Sequence, residues 1–151
     1  MATLRLTRKF RAPRERVFDA WTDPALLRRW WAALEGWETA VAEVDLRPQG
    51  SYRLSMRDPA QGAEYTVVGE YLEVQRPERL VYTWTWDGEP AEMRGSERTR
   101  VVVEFLEDAG GTEVVLTHEG FADEHIRDLH GEGWVGCLVN LERRVLEKSR
   151  R

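Results

Sequence analysis

The chain has 151 residues and a single cysteine, Cys137, which excludes an intramolecular disulfide and, with no CxxC nearby, gives no zinc-site signal. A formal charge of −5 argues against nucleic acid as the main partner, because phosphate binding needs a net basic face. No stretch approaches the roughly 18 apolar residues of a membrane span, and the residues from Met1 to Arg8 lack a signal peptide's apolar core, so the expectation is one cytoplasmic domain over residues 1–151 with no membrane partner.

Ala2 to Arg11 alternates through Leu4, Leu6 and Phe10 and predicts a first strand. Pro13 then stands at a first helical position, and Val17, Phe18 and Trp21 form an apolar helical stripe. Asp23 and Pro24 read as the N-cap and first turn of a second helix, with Leu27, Trp30, Trp31 and Leu34 as its buried face and Gly36 as its end. Strands are predicted over Val41–Leu46, Ser51–Met56, Glu64–Val74 and Arg79–Trp86. Asp87 to Glu97, polar and carrying Gly88, Pro90 and Gly95, predicts a loop. Arg100–Phe105, Gly110-Gly111 and Thr112–Glu119 form a hairpin signal, and Asp123 to Lys148 has the spacing of one long amphipathic helix.

The order is therefore strand, two helices, six strands, long helix. An antiparallel sheet with its helices on one side buries both apolar faces by curling round the long helix, an α+β helix-grip arrangement. The strand Arg79–Trp86 is its most informative piece. Leu80, Tyr82, Trp84 and Trp86 share one face, and Val81, Thr83 and Thr85 the other. Three large aromatics in a row must pack against core or against a ligand.

Several segments resemble a known family. Ala12-Pro13-Arg14-Glu15-Arg16-Val17-Phe18-Asp19-Ala20-Trp21-Thr22-Asp23-Pro24, continuing to Trp30-Trp31, is similar to the opening of the Bet v 1/START-like (SRPBCC) superfamily, and within it to the Hsp-90 ATPase activator homologue-like branch. Glu43 to Gly50, Pro77 to Trp84, Thr117-His118-Glu119-Gly120-Phe121 and Gly133-Trp134 agree. One departure is Gln49, which stands where the family usually has the first glycine of a pair, and it touches turn geometry only. The resemblance implies a cavity between sheet and last helix that accepts hydrophobic small molecules in many relatives. Those relatives range from lipid carriers to cyclases and co-chaperone domains, so fold alone does not fix activity.

Parity places Tyr52, Leu54 and Met56, and Tyr65, Val67 and Tyr71, on the same face as Tyr82, Trp84 and Trp86, with Gly69 leaving room. Trp30 or Trp31, Trp134 and Leu138 are expected to approach from the helices. These aromatics either line an open pocket or fill the space as core. His118 shares parity with Val114 and Leu116, which makes it a candidate for ligand contact and, secondarily, for proton transfer. His125 and His130 lie five apart, roughly 140° round a helix, and so are not expected to share a metal ion. Asp123, Glu124 and Asp128 complement the helix dipole. Cys137 lies on the apolar stripe as a buried, inert thiol, and no Gly-x-Ser-x-Gly or phosphate loop appears.

The ligand-binding set expected from this reading is Trp30, Trp31, Tyr52, Met56, Tyr65, Tyr71, Tyr82, Trp84, Trp86, His118, Trp134 and Leu138, with no catalytic residue, metal or cofactor assigned. Noncovalent binding of a hydrophobic or aromatic small molecule is the leading function. A co-chaperone-like module is the first alternative, with Arg28, Arg29, Arg143, Arg144, Lys148, Arg150 and Arg151 as a docking surface for an acidic partner such as a chaperone. A cyclase or aromatase using His118 with a tyrosine such as Tyr82 is the second. A homodimer through a sheet edge or through Val81, Val102 and Val115 is a further expectation about assembly.

Overall fold

Alternating burial runs the length of β1 (Ala2–Phe10), whose Leu4, Leu6 and Phe10 turn inward while Thr3, Arg5 and Thr7 face solvent. The computed structural model describes residues 1–34, 36–88 and 98–147, so most of the Asp87–Glu97 loop and the tail residues Lys148, Arg150 and Arg151 lie outside the described residues. After β1 come α1 (Arg14–Thr22), α2 (Pro24–Trp30), β2 (Glu38–Val44), β3 (Ser51–Arg57), β4 (Glu64–Gln75), β5 (Arg79–Asp87), β6 (Thr99–Asp108), β7 (Gly111–Phe121) and α3 (Glu124–Leu141). The seven strands form one antiparallel sheet in the order β1-β7-β6-β5-β4-β3-β2. Chain-adjacent strands pair throughout β2 to β7, while β1 closes the far edge against β7. This is the helix-grip architecture: two short helices after the first strand, and a curved sheet round a long C-terminal helix.

The helices are fixed by local chemistry and by the core. Asp23 caps α2 by accepting from the Ala25 N–H at 2.9 Å, with Pro24 in the first turn. Asp123 caps α3 through the Ile126 N–H at 2.9 Å. Trp21 of α1 sits edge-on to Trp30 of α2 at 5.2 Å and stacks against Trp134 of α3 at 6.1 Å, tying all three helices together over the sheet.

Several expectations need correction. Pro13 occupies the N-cap position of α1 rather than its first turn. Helix α2 ends at Trp30, and Leu34 lies outside it and 55% exposed. The chain stops coiling there because residues 31–33 run close against α3: the Asn140 amide donates to the Ala32 carbonyl at 2.8 Å, and a Cβ on Gly136 would lie 1.8 Å from the Ala33 carbonyl oxygen. Gly69 leaves room for backbone rather than ligand, since a Cβ there would meet the Thr83 carbonyl oxygen at 2.2 Å. The last helix does not stay α-helical. It widens into a π-helical turn over Glu142–Leu146, where Arg29 and Arg16 donate to the carbonyls of Arg144 and Leu146. Arg29, one of the residues expected to dock an acidic partner, is thereby engaged within the fold.

Val81, Val102 and Val115 are buried, at 4%, 7% and 6% exposure. Their cross-strand partners include Glu73 and Glu104, both ion-paired to Arg79, and the long stems of such side chains cover apolar surface. That face offers no open valine patch for a second copy.

Candidate functional site

The groove between sheet and helices divides into a filled half and an open half. In the filled half Tyr52, Tyr71 and Tyr82 lie ring to ring at 5.3–6.0 Å. With Trp21, Leu27, Trp31, Leu54 and Leu80 they enclose a void of only about 10 Å³, at the lower limit for one water. Their polar tips turn inward to protein: the Trp21 indole N–H donates to the Tyr82 hydroxyl at 3.2 Å, and the Tyr52 hydroxyl donates to the Thr83 carbonyl. Burial pushes all three phenols above their ordinary pKa, so they stay protonated.

The open half is a pocket of about 370 Å³, within the range usual for small-molecule sites. Strands β3 to β5 supply Met56, Tyr65, Trp84 and Trp86, and α3 supplies Leu129, His130, Glu132, Gly133, Trp134 and Cys137. The segment between α2 and β2 completes the wall with Trp31, Ala33, Leu34 and Trp37. Trp37 stacks on Tyr65 at 5.4 Å with the planes 10° apart, which closes the β4 side.

Two histidines belong to this region, His130 in the wall and His118 behind it, each locked in a defined neutral form. Trp134 Nε1–H donates to His118 Nδ1 at 3.1 Å, so the ring proton resides on Nε2 and points to Thr99 Oγ1 at 2.7 Å. Thr99 in turn donates to the Trp84 carbonyl at 3.1 Å. The chain of donors runs from helix to sheet and is satisfied at every link. His130 Nε2 accepts from Trp86 Nε1–H at 2.8 Å, which leaves its Nδ1–H to donate to the Ile126 carbonyl at 2.9 Å. Desolvation lowers the His118 pKa well below its ordinary value, and the neighbouring His130 adds to this. Desolvation also lowers His130, against the opposing pull of the Ile126 carbonyl. Burial raises the Cys137 thiol to about 12, so it lines the wall as an inert apolar group.

Of the twelve expected site residues, Trp31, Met56, Tyr65, Trp84, Trp86 and Trp134 line the open pocket. The others do not. Trp30 is sealed in the core, its indole N–H on the Ala20 carbonyl at 2.8 Å. Tyr52, Tyr71 and Tyr82 belong to the filled half, Leu138 is buried core, and His118 is fully buried with both ring nitrogens engaged. Trp37 and His130 are wall residues that the sequence reading missed. A signal existed for each: His130, Trp134 and Cys137 share the i, i+4, i+7 face of α3, and Trp37 lies two residues before Thr39, the strand partner of Met56. Among the described residues no three His, Cys, Asp or Glu side chains gather as metal ligands; His125 is exposed, away from buried His130.

The family model described as Activator of Hsp90 ATPase homolog 1-like protein matches residues 11–145. Solved structures agree with it in fold. A Chromobacterium violaceum protein is 30% identical with a TM-score of 0.82, the match covering 93% of this chain and 94% of that one. A Silicibacter pomeroyi protein of the same family name is 26% identical, with a TM-score of 0.82 and coverage of 97% and 99%. A Plasmodium falciparum protein described as an HSP90 activator is 25% identical, with a TM-score of 0.70 and coverage of 94% of each chain. A comparison with curated proteins found no match. With nine-tenths of its length matched by the family model, the chain belongs to the Activator of Hsp90 ATPase homolog 1-like protein family.

Proposed function

We propose that this protein binds a hydrophobic small molecule, noncovalently, in the open half of the groove. The observation that carries the reading is the aromatic-walled pocket of about 370 Å³ beside a tightly filled tyrosine cluster. A fold that packs one half of its groove almost without voids is able to pack the other, so the space between Trp31, Met56, Trp84 and Trp134 suits an occupant. Catalysis is disfavoured by the same geometry. His118 and Tyr82 are buried, and His118 has both ring nitrogens committed to partners. Native mass spectrometry of freshly purified protein, followed by titration of tryptophan fluorescence with apolar aromatics, sterols and fatty acids, tests the proposal. A retained ligand or a saturable change supports it, and no response across the panel overturns it.

A chaperone-directed role is the second reading. It is favoured by the family match and by the likeness to the Plasmodium protein described as an HSP90 activator. Addition of the protein to an Hsp90-type ATPase, with turnover measured against protein concentration, decides that role independently of any pocket ligand.

A further inference from the structure

We infer that the pocket selects a hydrophobic organic cation, an alkylated ammonium group carried on an apolar body, over a carboxylate of the same shape. The inference rests on reading this pocket as a ligand site and names the class of ligand. Its first support is charge. Among the described residues that line the pocket, none is a lysine or arginine, and Glu132 is the single acidic residue. Glu132 is solvent-exposed on α3 and makes no ion pair among the described residues, so its carboxylate is free to face an entering charge.

The second support is the disposition of donors. An anion brought into the wall would need N–H or O–H groups to replace its water. The indole N–H of Trp86 is spent on His130 and that of Trp134 on His118, while the His130 N–H is spent on the Ile126 carbonyl, so an anion would meet only the neutral Trp31 and Trp37 N–H groups and the Tyr65 hydroxyl, with no cation beside them. The Trp84 N–H has no hydrogen-bond partner among the described residues, but it is covered by protein rather than open to the pocket. A fully alkylated ammonium group has no N–H of its own to satisfy, so a wall poor in free acceptors costs it little.

The third support is the rings. Trp31, Trp37, Tyr65, Trp84, Trp86 and Trp134 surround the space, and indole is the side chain whose quadrupole attracts cations most strongly. Rings of this density with a carboxylate at the edge recognise a positive centre by two mechanisms at once: cation–π attraction inside and Coulombic attraction at the rim.

The test compares three probes on one naphthalene body by isothermal titration calorimetry: naphthylmethyl-trimethylammonium, its uncharged carbon isostere neopentylnaphthalene, and naphthylacetate. The ammonium probe is expected to bind about 10-fold tighter than the isostere, between the exposed and the fully desolvated size of a cation–π contribution, with naphthylacetate weakest. Glu132→Gln, an exposed change, is expected to weaken the ammonium probe by about 3-fold and leave the isostere unchanged. An isostere that binds as tightly as the ammonium probe, or a preference for naphthylacetate, overturns the inference while the ligand-binding reading stands. An ammonium preference that Glu132→Gln does not alter overturns the role given to that carboxylate. No binding by any probe overturns the inference and counts against the pocket reading with it.

Discussion

His118 and His130 are held neutral mainly by burial, and this makes stability depend on pH in a definite direction. Both pKa values are lowered in the fold, mainly by burial. On unfolding each ring regains an ordinary pKa of about 6.5. Below that pH the unfolded chain binds more protons than the folded one, so stability falls as pH falls; above it these rings contribute no slope. Urea unfolding between pH 7.0 and 5.5 is expected to show a falling midpoint, with a slope of up to about 1.4 kcal/mol per pH unit for each ring. The slope should drop by about half in His118→Gln. A midpoint that does not move with pH contradicts the neutral assignment. Gln49 gives a second residue-scale expectation. It sits at φ +70°, in the left-handed region that favours glycine, while its N–H donates to the Tyr71 carbonyl at 2.7 Å. Relief of about 1–2 kcal/mol of backbone cost is partly offset by the freer unfolded glycine. Gln49→Gly should therefore raise the thermal midpoint slightly, by the equivalent of about 0.5–1 kcal/mol. The substitution was legible in the sequence as a departure from the family pattern. Its energetic sign was not, because φ is set by the turn that Tyr71 anchors.

Helix α3 is the element through which fold and site meet. Gly136 and Gly133 lie one turn apart on it, yet the same substitution should act oppositely at the two. A Cβ on Gly136 would stand 1.8 Å from the Ala33 carbonyl oxygen, a backbone atom that cannot swing aside, whereas one on Gly133 would touch the Ala33 side chain at an ordinary 3.7 Å. Gly136→Ala should cost about 2–3 kcal/mol by forcing helix and segment apart. Gly133→Ala should be neutral or stabilising by up to about 1 kcal/mol through helix propensity. Denaturant midpoints of the two variants decide this. The long helical run and its aromatic face were readable from spacing alone, and so was the Asp23-Pro24 start of α2. Where the helices end was not. The early stop at Trp30 and the π-helical turn after Leu141 arise from contacts between distant segments, such as Asn140 with Ala32 and Arg29 with Arg144, which local periodicity does not encode.

For the molecule as a whole, the proposed ligand site and the second, chaperone-directed reading can be separated by one change. Gly133→Leu would project a side chain into the open pocket from a position where a Cβ already fits. Ligand binding should be lost, with thermal stability equal to or above that of the parent; if chaperone ATPase stimulation exists, it should survive the plug. Binding that persists at full affinity would place the ligand elsewhere. The sequence by itself determined the succession of elements along the chain, the inward parity of Tyr52, Met56, Tyr65, Tyr82, Trp84 and Trp86, and the family, because period-two alternation and turn residues are local properties that each strand carries alone. Whether those inward rings meet each other or leave a space was decided only in three dimensions. Tyr52, Tyr71 and Tyr82 converge and fill their half, whereas Gly133 and Ala33, too small to cross the gap, leave Trp84 and Trp86 facing an open one. A cavity is the volume left over by side chains from remote parts of the chain, and no single segment holds that sum.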